Sequence, residues 1–161
     1  MAAAKQRVEQ QPAWVLHTYP WRETSLIVEI FAREHGRVAL VAKGARRPHS
    51  QLRGVLLAFQ PLWMDWSGGG EVKTLVRAEW QGGQPLLIGR ALICGYYLNE
   101  LLVRLTARED AYPRLFDAYA EAVAHLRAQA PLRPLRADGA LASAALEHVE
   151  LQGPAGEIGH D

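Results

Sequence analysis

Three permanent cations fall within five residues at Lys43-Gly44-Ala45-Arg46-Arg47, followed by Pro48-His49-Ser50, with Arg53 just beyond. Lysine and arginine at that density neutralise phosphates and release their counterions, and a glycine among them lets backbone N–H groups approach a sugar-phosphate chain. The same composition also suits a plain solvated loop. Trp21, Trp63, Trp66 and Trp80 lie in the same half of the chain. An exposed indole is a platform on which a base stacks; a buried one is barrel core, the more frequent fate.

Other chemistry is hard to assemble. Gly68-Gly69-Gly70 is followed by no Gly-Lys-Ser/Thr, so it reads as a hairpin turn rather than a phosphate cradle. Histidines 17, 35, 49, 125, 148 and 160 form no HExxH and pair with no cysteine, which gives no zinc-ligand spacing. Glu109 and Asp110 are adjacent, sit just before Pro113, and suit the N-terminal end of a helix dipole better than a catalytic pair. Cys94 lies in an apolar run and is expected as a small core residue. The chain therefore reads as a non-enzyme, with no cofactor and no metal.

Charge distribution supports the binding reading. The 161 residues carry a formal net charge of +1, but residues 1–80 hold eleven Lys and Arg against seven Asp and Glu, and residues 81–161 hold seven against ten. Between 33 and 53 there are six cations (Arg33, Arg37, Lys43, Arg46, Arg47, Arg53) and one acid, Glu34. A basic half beside an acidic half points to a polyanion meeting only the first. One cysteine cannot close an internal disulfide, no apolar run follows Lys5 and Arg7 to make a signal peptide, and no stretch nears the ~20 apolar residues of a membrane span. The expectation is a cytoplasmic protein without a membrane partner.

The elements that position the cations read as β-structure. Trp14–Tyr19 is a short β-prone run ended by Pro20. Ser25–Arg33 alternates Leu26, Val28 and Ile30 against Ile27, Glu29, Phe31 and Arg33, and Gly36 supplies a turn into Arg37–Lys43. After the loop 44–53, Leu62–Trp66 and Glu71–Trp80 form a second hairpin, with Lys73 and Arg77 on one face. Five short strands suit a small closed barrel, the oligonucleotide-binding (OB) barrel first and an SH3-like barrel second.

Beyond Gln81–Pro85 the period changes. Residues 91–105 are apolar on nearly every side and predict a helix buried on nearly every side. Pro113 opens a second helix to about Ala130, with Leu115/Phe116, Tyr119, Val123 and Leu126 on its buried face. Residues 141–149 predict a weak helix and 152–161 a loose tail.

The runs Tyr19-Pro20-Trp21-Arg22-Glu23-Thr24-Ser25-Leu26, Phe31-Ala32-Arg33-Glu34-His35-Gly36-Arg37 and Val41-Ala42-Lys43-Gly44-Ala45-Arg46-Arg47 closely resemble the N-terminal domain of the RecO family. So do Trp66-Ser67-Gly68, Glu71–Leu75, Gly95–Leu102 and Arg114–Tyr119, in order across roughly residues 13–127. The resemblance implies an α+β chain: a five-stranded OB-fold barrel (1–82), a shortened helical domain (86–150) and a disordered tail (151–161). It implies a mediator of recombinational DNA repair in the RecF pathway. Such a protein binds and anneals single- and double-stranded DNA and works with RecR to place RecA on DNA coated by single-stranded-DNA-binding protein.

Carried onto this sequence, it makes Arg37, Lys43, Arg46, Arg47 and Arg53 the candidates for phosphate contact, Lys73 and Arg77 a second rank, and Arg22 a structural partner of Glu23. After about Arg136 the family continues with further helices, and some members add a cysteine zinc knuckle. Residues 137–161 show neither, so a truncated or frame-shifted member is expected. Docking of the single-stranded-DNA-binding protein's acidic tail is then in question, and the uncovered helix faces favour self-association. The competing reading is an OB-fold protein-interaction module with little DNA binding of its own.

Overall fold

A computed structural model describes residues 6–129. Five strands, β1 (Arg7–Trp21), β2 (Ser25–Ala32), β3 (Gly36–Ala42), β4 (Leu62–Ser67) and β5 (Val72–Trp80), close into a barrel in the order β1-β2-β3-β5-β4. Neighbours run antiparallel except β3 and β5, which meet in parallel over Ala39↔Val72, Leu40↔Lys73 and Val41↔Thr74. This is the OB-fold barrel rather than the SH3-like one. A one-turn helix, α1 (Leu52–Val55), precedes β4, and two longer helices, α2 (Gly89–Leu105) and α3 (Pro113–Ala128), follow the barrel. None of the described helices is long and apolar enough to cross a membrane.

The inward residues of alternating strands fill the barrel: Val15, Val28, Ile30, Leu40, Leu62, Met64 and Trp66 are buried together. The opposite face of β1 and β2 is buried as well, because Trp14, Leu16 and Phe31 pack with Leu102 of α2 and with Phe116, Tyr119 and Val123 of α3. That second core explains why β2 is hydrophobic on both faces. Polar ties fix the seating. Asn99 donates to the Leu16 carbonyl at 3.2 Å and accepts from the Tyr119 hydroxyl, whose burial pushes it above its ordinary titration range. Arg33, at the end of β2, forks onto Asp117 of α3 at 3.1 and 3.0 Å and holds that carboxyl below the usual range.

Several elements differ from expectation. β1 begins seven residues earlier than the run 14–19 and passes through Pro20 to Trp21, since that proline sits one step from the hairpin end where little ladder is left to interrupt. Its register shifts between Val15 and His17, so Leu16 and His17 both face outward. The helix expected to be enclosed on nearly every side is not. Only Ala91, Gly95, Asn99 and Leu102 of α2 are buried, whereas Ile93, Tyr97 and Leu105 are 71%, 65% and 77% exposed. Small residues face the barrel because close approach is needed there: a Cβ on Gly95 would stand 2.8 Å from the Phe59 ring. Ile93, Tyr97 and Leu105 point away, while Leu102 reaches the shared core. Cys94, expected in the core, is exposed on that outer side. α3 has the predicted Pro113 in its first turn and Phe116, Tyr119 and Val123 inward with Leu126 partly buried, whereas Leu115, expected beside Phe116 on the buried face, is exposed. The weak helix at 141–149 and the tail lie outside the described residues.

Candidate nucleic-acid interface

β3 ends at Ala42 and the chain turns at once. Gly44 adopts φ +69°, Arg47 N–H donates to the Gly44 carbonyl at 3.1 Å, and Ser50 N–H to the Arg47 carbonyl at 3.0 Å. Ala45 is fully buried in the barrel core and pins the middle of the turn. With that residue held inward, Lys43, Arg46, Arg47, Pro48 and His49 are displayed outward. The loop is also stitched to the β1–β2 turn: Arg46 N–H donates to the Thr24 carbonyl at 2.9 Å and the Arg46 guanidinium to the Arg22 carbonyl at 3.3 Å. Arg53 is exposed on α1, farther along the same connection.

Among the described residues, none of Arg22, Lys43, Arg46, Arg47 and Arg53 is engaged in an ion pair. Their charges face water. Arg22, expected to partner Glu23, instead stands 5.8 Å from the Trp21 ring centroid, within cation–π reach. Its backbone takes a left-handed φ of +54° in the tight hairpin. Trp21 is 43% and Tyr19 40% exposed, and His17, also exposed, lies 5.9 Å from Tyr19 ring to ring.

Three other candidate cations sit elsewhere. Arg37 is the second residue of β3, six residues and roughly 20 Å from Lys43 at strand rise. Its guanidinium is nearly buried, pairs with Glu29 at 3.4 Å and donates to the Thr106 carbonyl at 3.0 Å, while Arg108 engages the other oxygen of the same carboxylate. Nε of Arg37 has no partner among the described residues. Lys73 is buried, pairs with Glu109 and donates to the Gly70 carbonyl at 2.8 Å. Arg77 lies between Asp65 at 3.6 Å and Glu79 at 3.5 Å.

Lys73 and Arg77 do not share a face, as four-residue spacing in a regular strand predicts. Asp65 pairs with Arg77 and Trp66 with Leu75, so Val76 is an extra residue that flips the alternation between them. Arg37 and Lys73 are structural cations: each neutralises a carboxylate where barrel and helices meet.

Of the tryptophans, Trp66 is core, at 1% exposure, while Trp63 and Trp80 are exposed on β4 and β5. The Trp80 indole is tied to the Val55 carbonyl at 2.9 Å. The sequence reading missed Tyr19 and Arg22 as surface groups; the signal available was the period-two spacing of rings at 17, 19 and 21. No cluster of three or more His, Cys, Asp or Glu with metal-binding geometry occurs among the described residues.

Comparison with known proteins adds a family. The profile described as recombination protein O N terminal matches residues 7–83, and that described as recombination protein O C terminal matches 89–145. The "DNA repair protein RecO" of Aromatoleum aromaticum is 83% identical over 122 residues, 76% of this chain and 51% of that protein. Its counterpart from Azoarcus sp. is 74% identical over 133 residues, 83% of this chain and 55% of that protein. The one from Dechloromonas aromatica is 63% identical over 124, 77% and 51% respectively. The chain spans about half the length of the curated relatives it matches.

Proposed function

The chain belongs to the RecO family, and from that membership and the exposed cationic turn we propose that it binds DNA in recombinational repair, through the surface formed by the β3–α1 connection and the β1–β2 hairpin. Lys43, Arg46, Arg47 and Arg53, joined by Arg22, contact phosphates; Arg37, Lys73 and Arg77 do not belong to this surface. The observation that carries the reading is a group of guanidinium and ammonium charges with no ion-pair partner among the described residues, those of the turn displayed around one buried alanine. Counterion release makes such a group a phosphate binder irrespective of base sequence. Annealing of complementary strands and loading of RecA with RecR, on DNA covered by single-stranded-DNA-binding protein, are the activities this surface would serve.

Reversing Arg46→Glu and Arg47→Glu together tests it. Affinity for oligonucleotides of any sequence falls, and the slope of log K against log salt on single strands drops by about 1.4 or more, at ~0.7 per lost phosphate contact. Titration by fluorescence anisotropy from low to moderate salt measures both. Unchanged affinity in the double variant, or binding of an acidic peptide in preference to DNA, refutes the assignment and leaves a protein-docking barrel.

A further inference from the structure

We propose that the outward side chains of β1 form an aromatic track, Tyr19 and Trp21 with His17 at its inner end, that stacks unpaired bases and gives the surface its preference for single-stranded over duplex DNA. This rests on the loop cations contacting phosphate, and it assigns selectivity to different residues.

Strand parity sets the track. Trp21 pairs with Ser25, Tyr19 with Ile27 and His17 with Glu29, all on the outward face, while Thr18 and Pro20 pair with the inward Val28 and Leu26. The same face farther along β1 carries Trp14 and Leu16, which the helices cover. The aromatic run therefore emerges from beneath the helices and stays open up to the hairpin, where Trp21 and Tyr19 keep about two-fifths of their surface in water. A large apolar ring gains by burial, so leaving two exposed in sequence on one face is the unfavourable arrangement unless something planar covers them. Residues two apart on a strand are about 6.8 Å apart, twice the ~3.4 Å rise between bases, so Tyr19 and Trp21 present neighbouring ring surfaces within the reach of one short single strand.

Charge selects the kind of planar ligand. The track ends at Arg22, whose carbonyl accepts from Arg46, so the rings lead directly into the cationic turn. A ligand with alternating flat apolar faces and regularly spaced negative charges satisfies both surfaces at once, which describes a single nucleic-acid strand. A duplex offers the same phosphates, but its base faces are already stacked and paired, so it gains from the cations and not from the rings.

The test compares a 20-nucleotide oligo-dT with a mixed-sequence 20-base-pair duplex, across a salt series, on the full chain. Trp21→Leu is expected to weaken oligo-dT binding roughly tenfold, within the range of one lost base stack. Duplex affinity should stay within about twofold and the salt slope should not change, because no phosphate contact is lost. Trp21→Phe, which keeps a π-face, should restore most of the loss, and Tyr19→Leu should repeat the selective effect independently of the hairpin. Equal losses on both DNAs, or no loss on oligo-dT, overturn the track. The charge-reversed loop separates the two proposals: it should lose single strand and duplex together and keep their ratio. If the unaltered chain binds neither DNA, the loop reading falls and this one with it.

Discussion

His35 sits where three chain segments meet, with its ring edge-on to Trp66 at 5.4 Å and with Glu34, Lys73 and Glu109 around it. Desolvation lowers its pKa below the usual 6.5, and the Lys73 ammonium adds to that, while the two glutamates act the other way. The folded chain therefore takes up the proton only at a pH below the value at which the unfolded chain does. This contribution to stability is complete above about pH 6.5 and is lost as pH falls through the folded value. Urea midpoints between pH 7.5 and 5 should fall for the native sequence and stay flatter for His35→Leu, which keeps an apolar contact with Trp66 and cannot be protonated. Equal slopes for the two proteins would sink the assignment.

Helix α2 shows what sequence patterning conveys and what it omits. Its existence follows from a long apolar run, and its direction of burial does not, because an apolar residue reports only a preference for contact. Here the decisive positions are the small ones. Gly95→Ala improves intrinsic helix propensity by about 1 kcal/mol, yet its Cβ would meet Phe59 ring carbons at 2.8 Å and Leu87 at 3.0 Å. Overpacking of that order costs about 1–3 kcal/mol, so chemical denaturation should show a net loss rather than the gain expected of an exposed helix.

The strands were legible because alternation and glycine turns are local signals, as at Gly36 (φ +69°). That the same glycine also admits the Asp110 carbonyl into the space a Cβ would take was not, since the two are far apart in sequence. The binding surface was legible in part for the same reason. Clustered cations at 43–47 announce themselves, but Lys73 is engaged by Glu109 from far along the chain, and Arg37 by Glu29 of the adjacent strand together with the Thr106 carbonyl beyond α2. The Val76 bulge that separates Lys73 from Arg77 leaves no mark in composition.

At the scale of the whole described chain, α2 and α3 share a core with β1 and β2 and so brace those strands, while β3 and β5 meet the helical part only through the α2–α3 connection, at Arg37 and Lys73. The parallel closure of β3 on β5 spans only three residue pairs, the shortest ladder of the five and of the less stable kind. Backbone amide exchange should accordingly be fastest, among the strands, at Ala39–Val41 and Val72–Thr74, and slowest in β2; the reverse order would contradict this mechanical picture. The cationic turn leaves β3 at the end of that short ladder. The slit through which the barrel breathes and the surface assigned to phosphate are thus neighbours. A polyanion lying across Lys43 and Arg46 would act as a staple over the slit, so its arrival should be felt inside the barrel as slower solvent entry.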